Sequence, residues 1–297
     1  VISLGRLGYR AANPIILQFL EKGSFNVRRS SAIALGVAAS PADKDVIQAL
    51  AKAAESDADL MVKNFCYVAL GRIGGADAEK VLVKAFKEVN LTRLPFVAIG
   101  LGLLGNAANG DLILQRFKSI RDNSTRSALA LALGLHGHKP ALGELRKIVD
   151  GKGDPIFRSY CAQALGLLKD ADSIERLRKT CTEGNDVELI RSSAIALGLI
   201  GDSEALEMLK GMADAKNSDI VRSSAVYAMG LIGDRNAIGS LNEVLDDESV
   251  TRQVKSYAVT ALGLLGDESP APAVSKITRN SNYTIMETYL YELFNIN

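Results

Sequence analysis

Ser193-Ala194-Ile195-Ala196-Leu197-Gly198-Leu199-Ile200-Gly201-Asp202 is a phrase that recurs, with variations, nine times along the chain: a helix-like run, a glycine, two apolar residues and a turn. Its first glycine falls at Gly5, Gly36, Gly71, Gly102, Gly134, Gly166, Gly198, Gly230 and Gly263, at spacings of 31, 35, 31, 32, 32, 32, 32 and 33 residues. Self-similarity at that period marks two-helix units that cannot bury their apolar faces alone and so stack on one another. The reading is an all-α, right-handed superhelical solenoid of about nine repeats, one continuous domain over 1–297. Residues 1–8 read as the tail of a truncated first repeat, with more chain expected upstream. Residues 280–297 break the pattern and read as a short aromatic helix that caps the last repeat.

The unit around Gly230 shows the anatomy. Apolar residues at three-to-four spacing over 203–212 predict a first, amphipathic helix with Asp202 or Ser203 as its N-cap. A polar turn over 213–218 leads into a second helix from near Asp219 to Ile232; Gly233 closes it and Asp234 caps the next. A glycine inside a helix costs about 1 kcal/mol relative to alanine. Its recurrence predicts a neighbouring helix crossing there too closely for a methyl group. The position two residues earlier is small throughout (Ala34, Ala69, Gly100, Ala132, Ala164, Ala196, Ala228, Ala261) and supplies the matching face. A basic residue stands eight before the glycine at Arg28, Lys63, Arg126, Arg158, Arg222 and Lys255, with Arg93 and Arg191 displaced by one position in opposite directions. Carboxylates just upstream, such as Asp154, Asp186 and Asp219, predict a structural ladder that caps the second helix and pairs with these cations, rather than a groove for an anionic ligand.

Composition narrows the partners. Hydrophobic residues make up 47% and charged residues 23%, ample for a core and unlike a disordered chain. The 35 basic residues meet 34 acidic ones and are scattered rather than striped, so a nucleic-acid partner is not expected. The longest apolar run, 94–105, contains Pro95 and three glycines and is too short for a membrane helix. Cys66 and Cys161 occupy the same repeat position, where Ala or Val also occurs, which is how small buried hydrophobes behave. With Cys181 they make an odd, sparse set without a CxxC, which argues against a disulfide framework.

The Val-Arg-Ser-Ser-Ala…Ala-(Leu/Met)-Gly-Leu-Ile-Gly-Asp pattern, clearest over Arg191–Asp202 and Val221–Asp234, resembles the HEAT repeat family, and in particular its short form named after phycobilisome lyases. The resemblance covers essentially the whole chain and implies that the helix carrying Arg222 to Ile232 lines the concave side. Ala39 and Lys169 replace the second glycine, so those two turns are expected to be built differently. The repeat ending at Gly71 carries extra residues near 40–59, and Pro95 should start its helix late or kink it.

Few motifs carry chemistry. Gly100-Leu101-Gly102-Leu103-Leu104-Gly105 satisfies GxGxxG but lacks the preceding strand of a dinucleotide site. His136 and His138 lack a cysteine or carboxylate cluster at ligand spacing, so no metal site is expected. The paired His-Glu motifs of the HEAT-repeat oxygenase that hydroxylates a modified lysine do not occur, nor does the basic aromatic cleft of HEAT-like DNA glycosylases. The expectation is therefore a non-catalytic scaffold without cofactor that binds a protein or peptide on its concave face; the alternative is an enzyme or accessory subunit of the phycobilin-lyase-like type holding a small ligand. Two non-uniform columns on the second helices are the candidate face. Arg29, Asn64 and Arg191 stand seven before the glycine, and Gln163, Tyr227 and Thr260 three before it. Tyr227 and Arg191 are the expected anchors, at least partly accessible. The competing reading of the same columns is core, with only hydroxyls and arginines in solvent.

Overall fold

A computed structural model of the chain describes residues 1–6, 9–214 and 216–266, which fall into two compact units, Val1–His136 and Gly137–Ser269. The capping role read into 280–297 lies outside the described residues. In the first unit the second helices of the repeats are α1 (Ile2–Arg6), α3 (Phe25–Ala38), α5 (Leu60–Ile73), α7 (Leu94–Leu104) and α9 (Asn123–His136); the first helices are α2 (Asn13–Lys22), α4 (Lys44–Ser56), α6 (Gly75–Glu88) and α8 (Ala107–Ser119). The second unit alternates first helices α10 (Leu142–Asp150), α12 (Ile174–Glu183), α14 (Leu206–Met212) and α16 (Ile238–Asp246) with second helices α11 (Pro155–Leu167), α13 (Val187–Ile200), α15 (Asp219–Ile232) and α17 (Arg252–Gly266). Among the described residues there is no strand.

Second helices form the spine of each unit. They stack in series, α1 to α9 by odd numbers in one unit and α11 to α17 in the other, while each first helix rests mainly on the second helix of its own repeat. The recurrent glycine makes this possible. A methyl group on Gly198 would lie 2.9 Å from Ala228 Cα, and one on Gly230 would lie 2.5 Å from Ala261 Cα. The glycine of one repeat thus meets the small-residue column of the next, as the spacing predicts. Between α5 and α7 even the alanine is gone: Gly71 faces Gly100, and a methyl on Gly100 would lie 2.6 Å from the Tyr67 carbonyl oxygen. Flanked on both sides, α15 buries every residue from Val221 to Gly230, as a helix inside a stack must.

The turns depart from expectation at instructive places. Gly201 closes α13 at φ 87°, its N–H reaching Leu197 O at 3.0 Å while the Asp202 N–H reaches the same carbonyl at 3.1 Å. Lys169 keeps that left-handed geometry at φ 55°, and the Asp170 N–H reaches Leu165 O at 3.1 Å. The turn is therefore conserved in shape, which corrects the expectation at Lys169; at Ala39 the chain is extended, φ −84°, and the turn does differ. Asp202 takes the N-cap position expected of it, but its carboxylate makes no capping bond, because Arg178 Nε and Nη2 draw it across to the preceding repeat at 2.7 and 2.5 Å. Asp234 does cap, accepting from the Asn236 N–H at 2.9 Å. Pro95 sits in the first turn of α7, where a missing N–H is harmless. That helix has 11 residues where α5 has 14, so it starts late without a kink.

Candidate partner-binding site

The two columns do not form an accessible face. Asn64 and Gln163 are 1% and 0% exposed, and Tyr227 is 6% exposed with its ring edge-on to Tyr257 at 5.9 Å. Gln163 Nε2 donates to Ser192 Oγ on the neighbouring helix at 2.9 Å. Arg191 is half-buried and pairs with Glu188 at 2.8 Å. Arg29 holds Asp59 through Nε and Nη2 at 2.9 and 2.7 Å and lies over the Phe25 ring. Thr260 is half-buried and donates to Ser256 O at 2.9 Å. The expectation that Tyr227 reaches solvent is thus corrected, and Asn64 and Gln163 with it. An interior second helix has a neighbour on each side, so positions seven and three before the glycine become contacts between helices. Their variability reflects how each pair of helices fits.

Four members of the basic column have a structural role, but a largely different one from the expected pairing with upstream carboxylates: they hold backbone carbonyls. Arg28 Nη1 donates to Gly23 O at 2.9 Å, Arg158 Nη2 to Val149 O at 2.8 Å, Arg222 Nε to Ala213 O at 3.1 Å and Lys255 Nζ to Leu245 O at 2.6 Å. Each cation covers the last carbonyls of the first helix in its own repeat, where the helix dipole favours positive charge. Arg28 also grips Asp57, whose carboxyl burial would push up, but the Arg28 hydrogen bonds hold it below the ordinary range. The upstream carboxylates cap second helices: Asp59 accepts from the Val62 N–H at 2.9 Å, Asp186 from the Leu189 N–H at 2.8 Å and Asp154 from the Ile156 N–H at 3.0 Å. Cys66 and Cys181 are buried; burial pushes both thiols up, that of Cys181 to about 12, so neither is a poised nucleophile. The GxGxxG glycines are explained by packing at Gly100 and Gly102 and by the left-handed helix end at Gly105. His136 Nε2 lies 2.6 Å from Asn106 O, and among the described residues no group of three metal-ligating side chains comes together.

Two features escaped the sequence reading. The first is a row of exposed large apolar side chains. Phe25, Leu60 and Leu91 in the first unit, and Ile156, Val187 and Ile220 in the second, are between 38% and 59% exposed. All stand ten or eleven before the repeat glycine, in the opening turn of the second helix or, for Leu91, just before it. The legible signal was an apolar residue one or two places after the N-cap Ser or Asp at Phe25, Leu60, Ile156, Val187 and Ile220, where the opening turn of a helix suits polar residues.

The second is an open pocket of about 540 Å³ in the first unit, lined by Glu55, Tyr67, Val81, Lys84, Ala85, Glu88, Val89, Asn90 and Arg93. It lies at the C-terminal ends of α4 and α6. Arg93 differs from the rest of the basic column: Nη2 reaches back 39 residues to Ala54 O at 2.7 Å, in the preceding repeat, and donates to Tyr67 Oη at 2.6 Å. Its guanidinium sits over the Tyr67 ring at 5.2 Å. Burial raises the Tyr67 phenol, opposed by Arg93 and reinforced by Glu55 and Glu88. Lys84 pairs loosely with Glu55 at 3.4 Å. Among the described residues no carboxylate pairs with Arg93, and its buried Nε–H has no acceptor, a deficit of about 1–3 kcal/mol for such a group.

A family model described as HEAT repeats matches residues 14–94, 110–196 and 142–230, and one described as PBS lyase HEAT-like repeat matches 221–247. No curated protein matches the chain. The complex of CpcE and CpcF of phycocyanin lyase from Nostoc sp. has a similar structure, with a TM-score of 0.53 and 19% identity over 85% of this chain and 93% of that one. Human deoxyhypusine hydroxylase in complex with glycerol aligns with a TM-score of 0.40 and 17% identity over 87% of this chain and 97% of that one. At such identities the first likeness concerns the fold alone.

Proposed function

The chain belongs to the HEAT repeat family, and we propose that it is a non-catalytic scaffold that binds a protein or peptide along the opening turns of its second helices. What carries the reading is the apolar row, Phe25, Leu60 and Leu91 in one unit and Ile156, Val187 and Ile220 in the other. Within each unit, large side chains at one register, repeated on successive second helices, give an extended partner a series of apolar contacts. Burying each fully would contribute about 1.5–3 kcal/mol before the losses of association. Arg29, Arg191 and Thr260 stay in the proposal as flanking polar contacts, while the buried Asn64, Gln163 and Tyr227 leave it. Nucleic acid is not the proposed partner, because much of the basic column is committed to helix carbonyls.

The test places a photo-crosslinking residue at Leu60 or Val187 and, as control, at exposed Lys80 on a first helix. A partner crosslinked from the row alone, with binding weakened about tenfold by serines along the row, is the expected result. Equal crosslinking from Lys80 would sink the reading. A second reading, an enzyme or accessory subunit of the phycobilin-lyase-like type, draws on the ionisable groups gathered in the pocket. Retention of a small ligand by the purified protein would favour it.

A further inference from the structure

We propose that the pocket between α4, α5, α6 and α7 anchors an acidic side chain of the partner segment, with Arg93 as its receptor. The inference rests on the scaffold reading and gives the partner a chemistry. Arg93 lines the pocket as a cation without a carboxylate among the described residues, and its Nη1 has no partner there either. Nη2 is spent on Ala54 O and Tyr67 Oη, and the Tyr67 ring lies beneath, so the guanidinium is held in place before any ligand arrives. A pre-oriented arginine recognises a carboxylate at little further ordering cost.

The pocket's other features select the occupant. It is open, and five of its nine lining residues (Glu55, Lys84, Glu88, Asn90 and Arg93) are charged or amide side chains. Small-molecule sites are instead enclosed and mostly apolar. Leu91, exposed in the same turn as Val89, Asn90 and Arg93, joins the pocket to the apolar row. A segment laying an apolar side chain on Leu91 therefore has the pocket within reach of an acidic residue close by in its sequence. Glu88, unpaired among the described residues, opposes that carboxylate and disfavours wholly acidic segments.

The probe is a random linear peptide library displayed against the full chain, followed by anisotropy titrations with a labelled peptide from the selected pool. The selected peptides should share one Asp or Glu near a large apolar residue. Arg93→Gln should weaken binding about tenfold, whereas Glu88→Gln, which removes the opposing charge, should tighten it about twofold. Selected peptides without an acid, or equal binding to Arg93→Gln while Leu60→Ser with Leu91→Ser weakens it, would overturn the anchor and spare the scaffold. Indifference to the Leu60 and Leu91 changes as well would sink both. If Arg93→Gln does not fold, Glu88→Gln decides alone, and unchanged or weaker binding overturns the proposal. Displacement of the peptide by free glutamate at matching concentration would also overturn it, by making the site one for a small acid.

Discussion

The repeats around α13 and α15 and the stretch from α4 to α7 are built from the same phrase to different tolerances. In the former each glycine meets an alanine, and Arg222 folds back onto its own first helix. In the latter glycine meets glycine, with no room for a methyl group on either helix, and Arg93 reaches into the preceding repeat. Among the described residues, the end of α6, where Glu88 and Val89 line the pocket, thereby lacks the covering cation that Arg222 gives α14. A repeat can keep its fold while one displaced arginine opens a site. The extra residues of the 35-residue repeat fall at the other end of α4, in the turn at 40–43 that Asp43 closes onto the Ser40 N–H at 2.8 Å.

The largest expected effect tests the regular side of that contrast. Gly198→Val should destabilise the protein by about 3 kcal/mol through overpacking, although valine is the better helix former; an unchanged melting temperature would break the account of helix contact. On the irregular side, Gly100→Ala restores the residue that seven of the other repeats carry, yet should cost about 2 kcal/mol because α5 approaches too closely. If it stabilises instead, the two regions do not differ in tolerance.

Ion pairs in the second unit come next. Arg146 Nε holds Asp170 at 2.8 Å, and Ser173 adds a hydrogen bond. Burial would raise the Asp170 carboxyl, but these partners outweigh it and hold it below its ordinary value. A depressed folded pKa contributes stability above the ordinary carboxylate value, near about 4, and loses it as pH falls below. Asp170→Asn should therefore cost about 2 kcal/mol at neutral pH, a difference that closes in acid denaturation curves below about pH 4. A constant offset across pH would contradict the pairing. The smallest effect is at Lys169, whose left-handed backbone disfavours a side chain by about 1 kcal/mol. Lys169→Gly should raise stability by less than that, since its Nζ bond to Leu199 O is lost; a clear loss would show that this bond outweighs the strain.

Periodicity alone determined the two-helix repeat, the register of its glycines and the place of its caps, because those depend on residues near in sequence and on spacings that a helix translates directly into faces. The sequence reading of α15 matches its observed span, Asp219–Ile232. It also foresaw the contact at Gly198, since a repeated helix-weakening residue needs a repeated cause. What faces solvent was decided only by the stack. Tyr227 and Gln163 vary from repeat to repeat as a binding face would, yet a second neighbouring helix covers them, and no one-helix pattern records that second neighbour. Arg93 is displaced by a single position in sequence, and only the three-dimensional reach of its side chain turned that shift into a cation that, among the described residues, pairs with no carboxylate beside an open pocket.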